Sequence, residues 1–156
     1  MAKSTVLLLL MLICCLSVTA QEIDTLVKVN GTKMHFHIVK GKGIPILFEA
    51  GGGNDGTIWK GLSKRLSHIT GTTLITYDRI GLGKSHMDTS KLWISKGVEA
   101  LENGLQQLGY DRDIILVAHS LGGFYATLFA SRHPQRVKAA VMIDINHIDF
   151  FTNEHL

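Results

Sequence analysis

The chain has 156 residues, with 16 Lys and Arg against 13 Asp and Glu and a formal net charge of +3. Hydrophobic residues make up 46% and charged residues 19%, the balance of one ordinary globular domain rather than a disordered or fibrous chain. The basic residues are scattered, without a dense Lys/Arg block or a basic helix face, so no nucleic-acid partner is expected and the charge reads as a normally solvated exterior.

Residues 1–20 read as a signal peptide. Lys3 gives a positive start, and Val6 to Leu16 is an unbroken apolar run too short for a spanning helix. Val18-Thr19-Ala20 places small residues where a signal peptidase reads, which makes Gln21 the expected mature start. The expectation is export to a periplasmic or extracellular location, with no stable membrane insertion after cleavage; an uncleaved anchor is the alternative. Cys14 and Cys15 both lie inside the apolar run and lack the small residues that precede a lipidated cysteine. The mature chain, 21–156, therefore has no thiol nucleophile and no cysteine-based metal site. Asn30-Gly31-Thr32 fits a glycosylation sequon, which matters only in a eukaryotic source.

Strand-like and helix-like segments then alternate. Leu26 to Val29 and Met34 to Val39 are β-patterned, and Asn30-Gly31 between them is a hairpin signal. Ile46-Leu47-Phe48 reads as a buried strand ending in Gly51-Gly52-Gly53, followed by a short helix from Ile58 to Leu66 and a strand from Thr73 to Tyr77. Leu92 to Leu108 reads as a longer helix with Val98, Leu101, Leu105 and Leu108 on one face. Ile114 to Val117 is strand-like, Leu121 to Arg132 helical with Pro134 beyond its end, and Ala139 to Ile143 a sixth strand. A hairpin followed by strand–helix repeats predicts an α/β fold, a mostly parallel sheet with helices on both faces.

The chemistry is concentrated at Ala118-His119-Ser120-Leu121-Gly122-Gly123. A serine held between a buried strand and a helix sits on a tight turn that pushes its hydroxyl clear of the backbone, and small residues let strand and helix approach there. Ser120 is the candidate nucleophile. The plain alternative is a serine that only caps the helix, but a cap does not need the glycine pair behind it.

The chain resembles the N-terminal portion of an α/β-hydrolase of the single-domain esterase/lipase-like superfamily. The resemblance is carried in order by Ala50-Gly51-Gly52-Gly53 with Trp59, by Tyr77-Asp78-Arg79-Ile80-Gly81-Leu82-Gly83-Lys84-Ser85, by Ala118 to Gly123, and by His133-Pro134 with Val141 to Asp144. It spans about residues 26 to 146 and implies a truncated α/β-hydrolase fold that lacks its last strands, its lid and the family's terminal histidine. Ala118 stands where relatives most often have glycine. The resemblance implies an oxyanion hole formed by the Leu121 N–H and the Gly52 N–H, with Gly53 as the alternative second donor. Asp78 and Arg79 are expected to brace a loop through charged hydrogen bonds. Asp144, at the end of the sixth strand, is a possible acid.

Among the histidines, His119 is expected to pack, His35 and His37 to lie far from the serine, and His68 and His133 to sit at helix ends. His86 could line the pocket. His147 is the in-chain candidate base. Two functions follow. One is a serine hydrolase that cleaves an ester or similar acyl bond of a small-molecule substrate through an acyl-enzyme, this chain being a fragment of it. The other is a non-catalytic exported remnant that keeps the elbow but lacks the base. Reading the DNA past the Leu156 codon distinguishes them. No cofactor and no metal are implied, and reactions that need an aspartate nucleophile are disfavoured.

Overall fold

The computed structural model describes residues 21–145; residues 1–20, expected to be a signal peptide, and His147 lie outside them. Six strands form one sheet in the order β1-β2-β4-β3-β5-β6. They are β1 (Glu22–Val29), β2 (Thr32–Val39), β3 (Ile46–Glu49), β4 (Leu74–Asp78), β5 (Ile114–His119) and β6 (Val137–Ile143). Three α-helices connect them: α1 (Lys60–Thr70), α2 (Ile94–Gln107) and α3 (Gly122–Arg132).

The Asn30-Gly31 turn joins β1 and β2 with φ of 48° and 86° at its two residues, the paired positive values that match the twist of a tight hairpin. β1–β2 and β2–β4 pair antiparallel, while β3–β4, β3–β5 and β5–β6 pair parallel. The sheet is thus mostly parallel beyond its hairpin edge, as the alternating pattern predicts.

Alternation along the strands divides the core. Leu47, Ile75 and Leu116 join Val98, Leu101, Leu105 and Phe129 on the face covered by α2 and α3. Phe48, Leu74 and Val117 join Trp59 and Leu66 on the opposite face, under α1. A fully buried side chain of this size contributes roughly 1.5–3 kcal/mol, so both layers are held mainly by these rows. Gly104 lets α2 lie close to the sheet: a Cβ there would stand 2.4 Å from the Phe36 ring.

The helix starts differ from the sequence pattern. The segment expected to open at Ile58 begins as a 3-10 turn over Gly56–Trp59, capped by Asp55, whose carboxylate accepts from the Thr57 N–H at 2.9 Å. The long helix opens at Ile94 because Trp93 is extended, with φ −65° and ψ 140°.

The chain runs from β3 to β4 on one side and from β5 to β6 on the other, so the direction of winding reverses between β3 and β5. In open parallel sheets the crevice beyond the carboxyl ends of the strands at such a reversal is where ligands bind. Ala50 follows β3 and Ser120 follows β5, and both border this crevice. β6 is an edge strand of the described sheet, and Val141, Met142 and Ile143 are 51%, 37% and 39% exposed. Among the described residues, no helix is long and apolar enough to cross a membrane.

Candidate active site

Ser120 lies between the end of β5 and the start of α3, with φ at 50°. A left-handed serine is strained, at a cost of order 1–3 kcal/mol, and such strain persists only where surrounding bonds hold it. Here the Ser120 N–H donates to the Ile143 carbonyl at 3.1 Å, and the Ser120 carbonyl accepts from the Gly123 N–H at 2.9 Å. This is the sharp strand-to-helix turn expected from Ala118 to Gly123.

The turn works because α3 approaches the neighbouring loop very closely. A Cβ at Gly122 would stand 2.5 Å from the Ala50 carbonyl oxygen, and one at Gly123 would stand 2.7 Å from Ile145. Ala118, fully buried, is accommodated in β5 without disturbing its pairing to β3 and β6.

The two expected oxyanion donors are neighbours in space. A Cβ at Gly52 would contact the Leu121 side chain, 3.3 Å from Cδ2 and 3.6 Å from Cβ. The loop of Gly52 is held from several sides. The Asn54 N–H donates to the Gly51 carbonyl at 3.3 Å, and the Asn54 side-chain amide donates to the Gly52 carbonyl at 3.2 Å. His119 packs against Gly51, its Nδ1 lying 2.9 Å from where a Cβ would be.

Beneath this loop lies a buried polar cluster. Arg79 Nη1 donates to Glu49 Oε1 and to the Ala50 carbonyl, each at 3.0 Å, and Nη2 donates to the Gly51 carbonyl. The Tyr77 hydroxyl donates to Glu49 Oε2, and the Arg79 guanidinium sits 4.8 Å from the centre of the Tyr125 ring. Burial pushes the Glu49 carboxyl up to about 7, with the Arg79 charge and the bond from Tyr77 pulling the other way. Burial also raises the Tyr77 and Tyr125 hydroxyls, and the Glu49 charge adds to the effect in both.

Asp78 ties down the segment that follows β4. Its carboxylate accepts from the Gly56 N–H at 2.9 Å and the Lys84 N–H at 2.8 Å. Arg79 and Asp78 thus bond the backbone of the loops that follow β3 and β4. Sequence reasoning missed Glu49, although a lone acid closing the apolar run Ile46-Leu47-Phe48 is itself a signal that a buried partner is needed.

The remaining predicted residues are dispersed. Asp144 follows β6 with φ at 43°, one position beyond the Ile143 that pairs with His119, and is exposed. His86 stands at the correct end of the sheet, but its N–H donates to Lys33 on β2, three strands from β5 in the sheet order. At about 4.8 Å per strand that is roughly 14 Å from the elbow. A surface cavity of about 570 Å³ lined by Lys28, Lys33 and His86 lies at this hairpin edge, not beside Ser120. His35 and His37 lie on β2, His68 in the last turn of α1, and His133 caps α3 and meets Glu102 at 3.0 Å. Among the described residues no group of three or more His, Cys, Asp or Glu side chains could hold a metal ion.

Comparison with known proteins agrees with this fold. The profile of a family described as alpha/beta hydrolase fold matches residues 44–155. The uncharacterised protein YqjL of Bacillus subtilis is 31% identical over 117 residues, 74% of this chain and 46% of YqjL. A (lyso)-N-acylphosphatidylethanolamine lipase of Bos taurus is 34% identical over 79 residues, 48% of this chain and 23% of the lipase. Among solved structures, the epoxide hydrolase VrEH1 of Vigna radiata superposes with a TM-score of 0.73 at 26% identity, covering 81% of this chain and 41% of that one. The chain therefore spans less than half the length of these relatives.

Proposed function

The chain belongs to the α/β-hydrolase fold family, and on that premise we propose that it carries the nucleophile and oxyanion half of a serine hydrolase that cleaves an ester or similar acyl bond. The observation that carries this reading is Ser120 in a left-handed conformation at the β5–α3 turn, with Gly52 and Leu121 packed side by side next to it. In this reading the Ser120 hydroxyl attacks the acyl carbon and a base removes its proton. The carbonyl oxygen takes up negative charge facing the Leu121 and Gly52 N–H groups, and the alcohol departs to leave an acyl-serine that water hydrolyses. Epoxide opening through a carboxylate nucleophile does not suit a serine elbow, so the epoxide hydrolase likeness supports the fold and not that chemistry.

The reading places the general base in the part of a longer relative that this chain does not span, with His147 as the in-chain alternative and Asp144 as the candidate acid. A fluorophosphonate probe applied to the full-length protein tests it. Labelling at Ser120 that disappears in Ser120→Ala is the expected result; esterase activity that survives this change in a folded enzyme rejects the assignment. Export is proposed alongside, with cleavage between Ala20 and Gln21. Mass spectrometry of the native N-terminus checks it, and a protein that still begins at Met1 or Ala2 refutes it.

A further inference from the structure

The oxyanion reading needs more than two N–H groups in the right neighbourhood. Each must point at the oxygen before the reaction begins, because catalytic stabilisation by dipoles depends on their being oriented in advance. A loop of three successive glycines, Gly51-Gly52-Gly53, has no side chains of its own to set that direction.

The direction is set through the carbonyl. A peptide unit is planar and trans, so its C=O and N–H point opposite ways. Fixing the Gly51 carbonyl fixes the Gly52 N–H, and fixing the Ala50 carbonyl fixes the Gly51 N–H. Arg79 bonds both carbonyls, Nη1 that of Ala50 at 3.0 Å and Nη2 that of Gly51. Arg79 is in turn held by Glu49, Oε1 to Nη1 at 3.0 Å, and Glu49 by the Tyr77 hydroxyl. All three side chains are buried, at 3% exposure for Glu49 and Tyr77 and 6% for Arg79.

We propose that Glu49 is a positioning residue of the hydrolase: through Arg79 it locks the Gly51–Gly52 peptide plane and so aims the Gly52 N–H into the oxyanion hole. The proposal rests on the Ser120 reading above. A buried ion pair adds little net stability compared with apolar residues of the same volume. Here the guanidinium spends its donors on the two carbonyls that define the loop. The bonds also polarise the peptide units they touch, which strengthens the N–H groups at their far ends. Glu49 does not touch substrate; at pH above about 7, where it is ionised, its carboxylate supplies the charge that keeps Arg79 folded under the loop rather than turned to solvent. Gly122 completes the device by letting α3 rest directly on the Ala50 carbonyl and the Glu49 stem, with a Cβ there 2.5 Å and 2.8 Å from them.

The test uses Glu49→Gln in the full-length protein at about pH 8, where the wild-type carboxylate is ionised; the change keeps the side-chain shape and removes the charge. Acylation of Ser120 by p-nitrophenyl acetate should slow by about 10- to 100-fold in kcat, with KM within about threefold, since oxyanion interactions act in the transition state. The affinity for phenylboronic acid, which forms a tetrahedral adduct on the serine, should fall in parallel. Arg79→Lys, which keeps the charge but not the fork that reaches two carbonyls, should behave alike. A folded Glu49→Gln protein with wild-type kcat overturns the proposal, as does a KM rise with kcat and boronate affinity unchanged. If Glu49→Gln does not fold, Tyr77→Phe removes one hydroxyl only; a kcat loss of about 3- to 10-fold supports the proposal and an unchanged kcat overturns it. A wild-type protein not labelled at Ser120 overturns the Ser120 reading and this inference with it. Wild-type labelling with unaltered variants overturns the inference alone.

Discussion

His35 and Asp78 are register partners on the antiparallel strands β2 and β4, and their side chains meet as well, Nδ1 to Oδ2 at 2.8 Å. The other ring nitrogen of His35 faces Asp24 Oδ1 at 2.7 Å, and Lys84 closes the row on Asp24 at 2.8 Å. Ser85 joins the same place: its hydroxyl accepts from the His35 N–H at 2.8 Å and donates to the Asp78 carbonyl at 2.6 Å. The segment from Asp78 to Ser85 is therefore stitched to the hairpin by its own side chains. A Cβ at Gly83 would stand 2.2 Å from Asp78 Oδ2, so the segment can wrap the carboxylate only with glycine at that position.

Asp78→Asn should destabilise the domain by about 2–3 kcal/mol, since a buried donor left facing a donor costs that much. Oδ1 faces the Gly56 N–H and Oδ2 faces both the Lys84 N–H and His35, so an amide NH2 on either side opposes a backbone N–H. Urea unfolding measures the change. A midpoint equal to wild type would show that the carboxylate does not hold this segment.

Gly122→Ala should also destabilise, by about 1–3 kcal/mol, because the added methyl meets backbone that cannot turn away. The nearest backbone atoms are the Ala50 oxygen at 2.5 Å and the Glu49 oxygen at 2.9 Å. Gly61→Ala is the opposite case. It lies in α1 with nothing within 4 Å of the new methyl, and should stabilise by up to about 1 kcal/mol through helix propensity. Thermal melts of the two variants that move in the same direction would contradict this.

Glu49 predicts a pH effect. Its carboxyl is raised from 4.5 to about 7 in the folded state, chiefly by burial. The folded state then favours the protonated form, so the contribution is complete below 4.5 and is lost as pH rises through 7, on the order of a few kcal/mol across that window. Glu49→Gln removes this dependence. Urea midpoints taken at about pH 5 and about pH 8 should differ less in the variant than in wild type, and an equal difference in both would reject the effect. Asp24 acts with the opposite sign at lower pH. Bonds from Lys84 and His35 hold its carboxyl down at about 2, so what it adds is lost only in strong acid, and its exposure keeps that small.

Residues 21–156 expressed by themselves should aggregate, or stay soluble with almost no turnover on short-chain p-nitrophenyl esters. Val141, Met142 and Ile143 lie exposed on the edge strand β6, and an open apolar edge invites pairing between chains. The proposed reading places the general base in the part of a longer relative that this chain does not span, and loss of a triad member typically costs about four to six orders of magnitude in turnover. A soluble monomer with substantial Ser120-dependent turnover would refute this and promote His147, with His147→Ala as the deciding variant.

Periodicity and turn chemistry act within about ten residues, and what they specify was legible in the chain itself. The six strands, the Asn30-Gly31 hairpin, the buried face of Val98, Leu101 and Leu105, and the serine pinned between Ile114–Val117 and the helix after it all follow from local pattern. Small shifts at the helix starts came from capping by Asp55 and from extended Trp93, which periodicity does not register. The order β2-β4-β3-β5 is a different matter. It brings Arg79 to Glu49 across 30 residues and Asp78 to His35 across 43, and it sets Gly52 beside Leu121. None of these pairs has a signal in the spacing of residues, because strands not joined by a tight turn are linked by long connections whose length says nothing of which side chains will face each other. The sequence reading missed Glu49, the lone acid closing the apolar run Ile46-Leu47-Phe48; only the packed sheet decided that its partner was Arg79 and that Arg79 would reach the glycine loop.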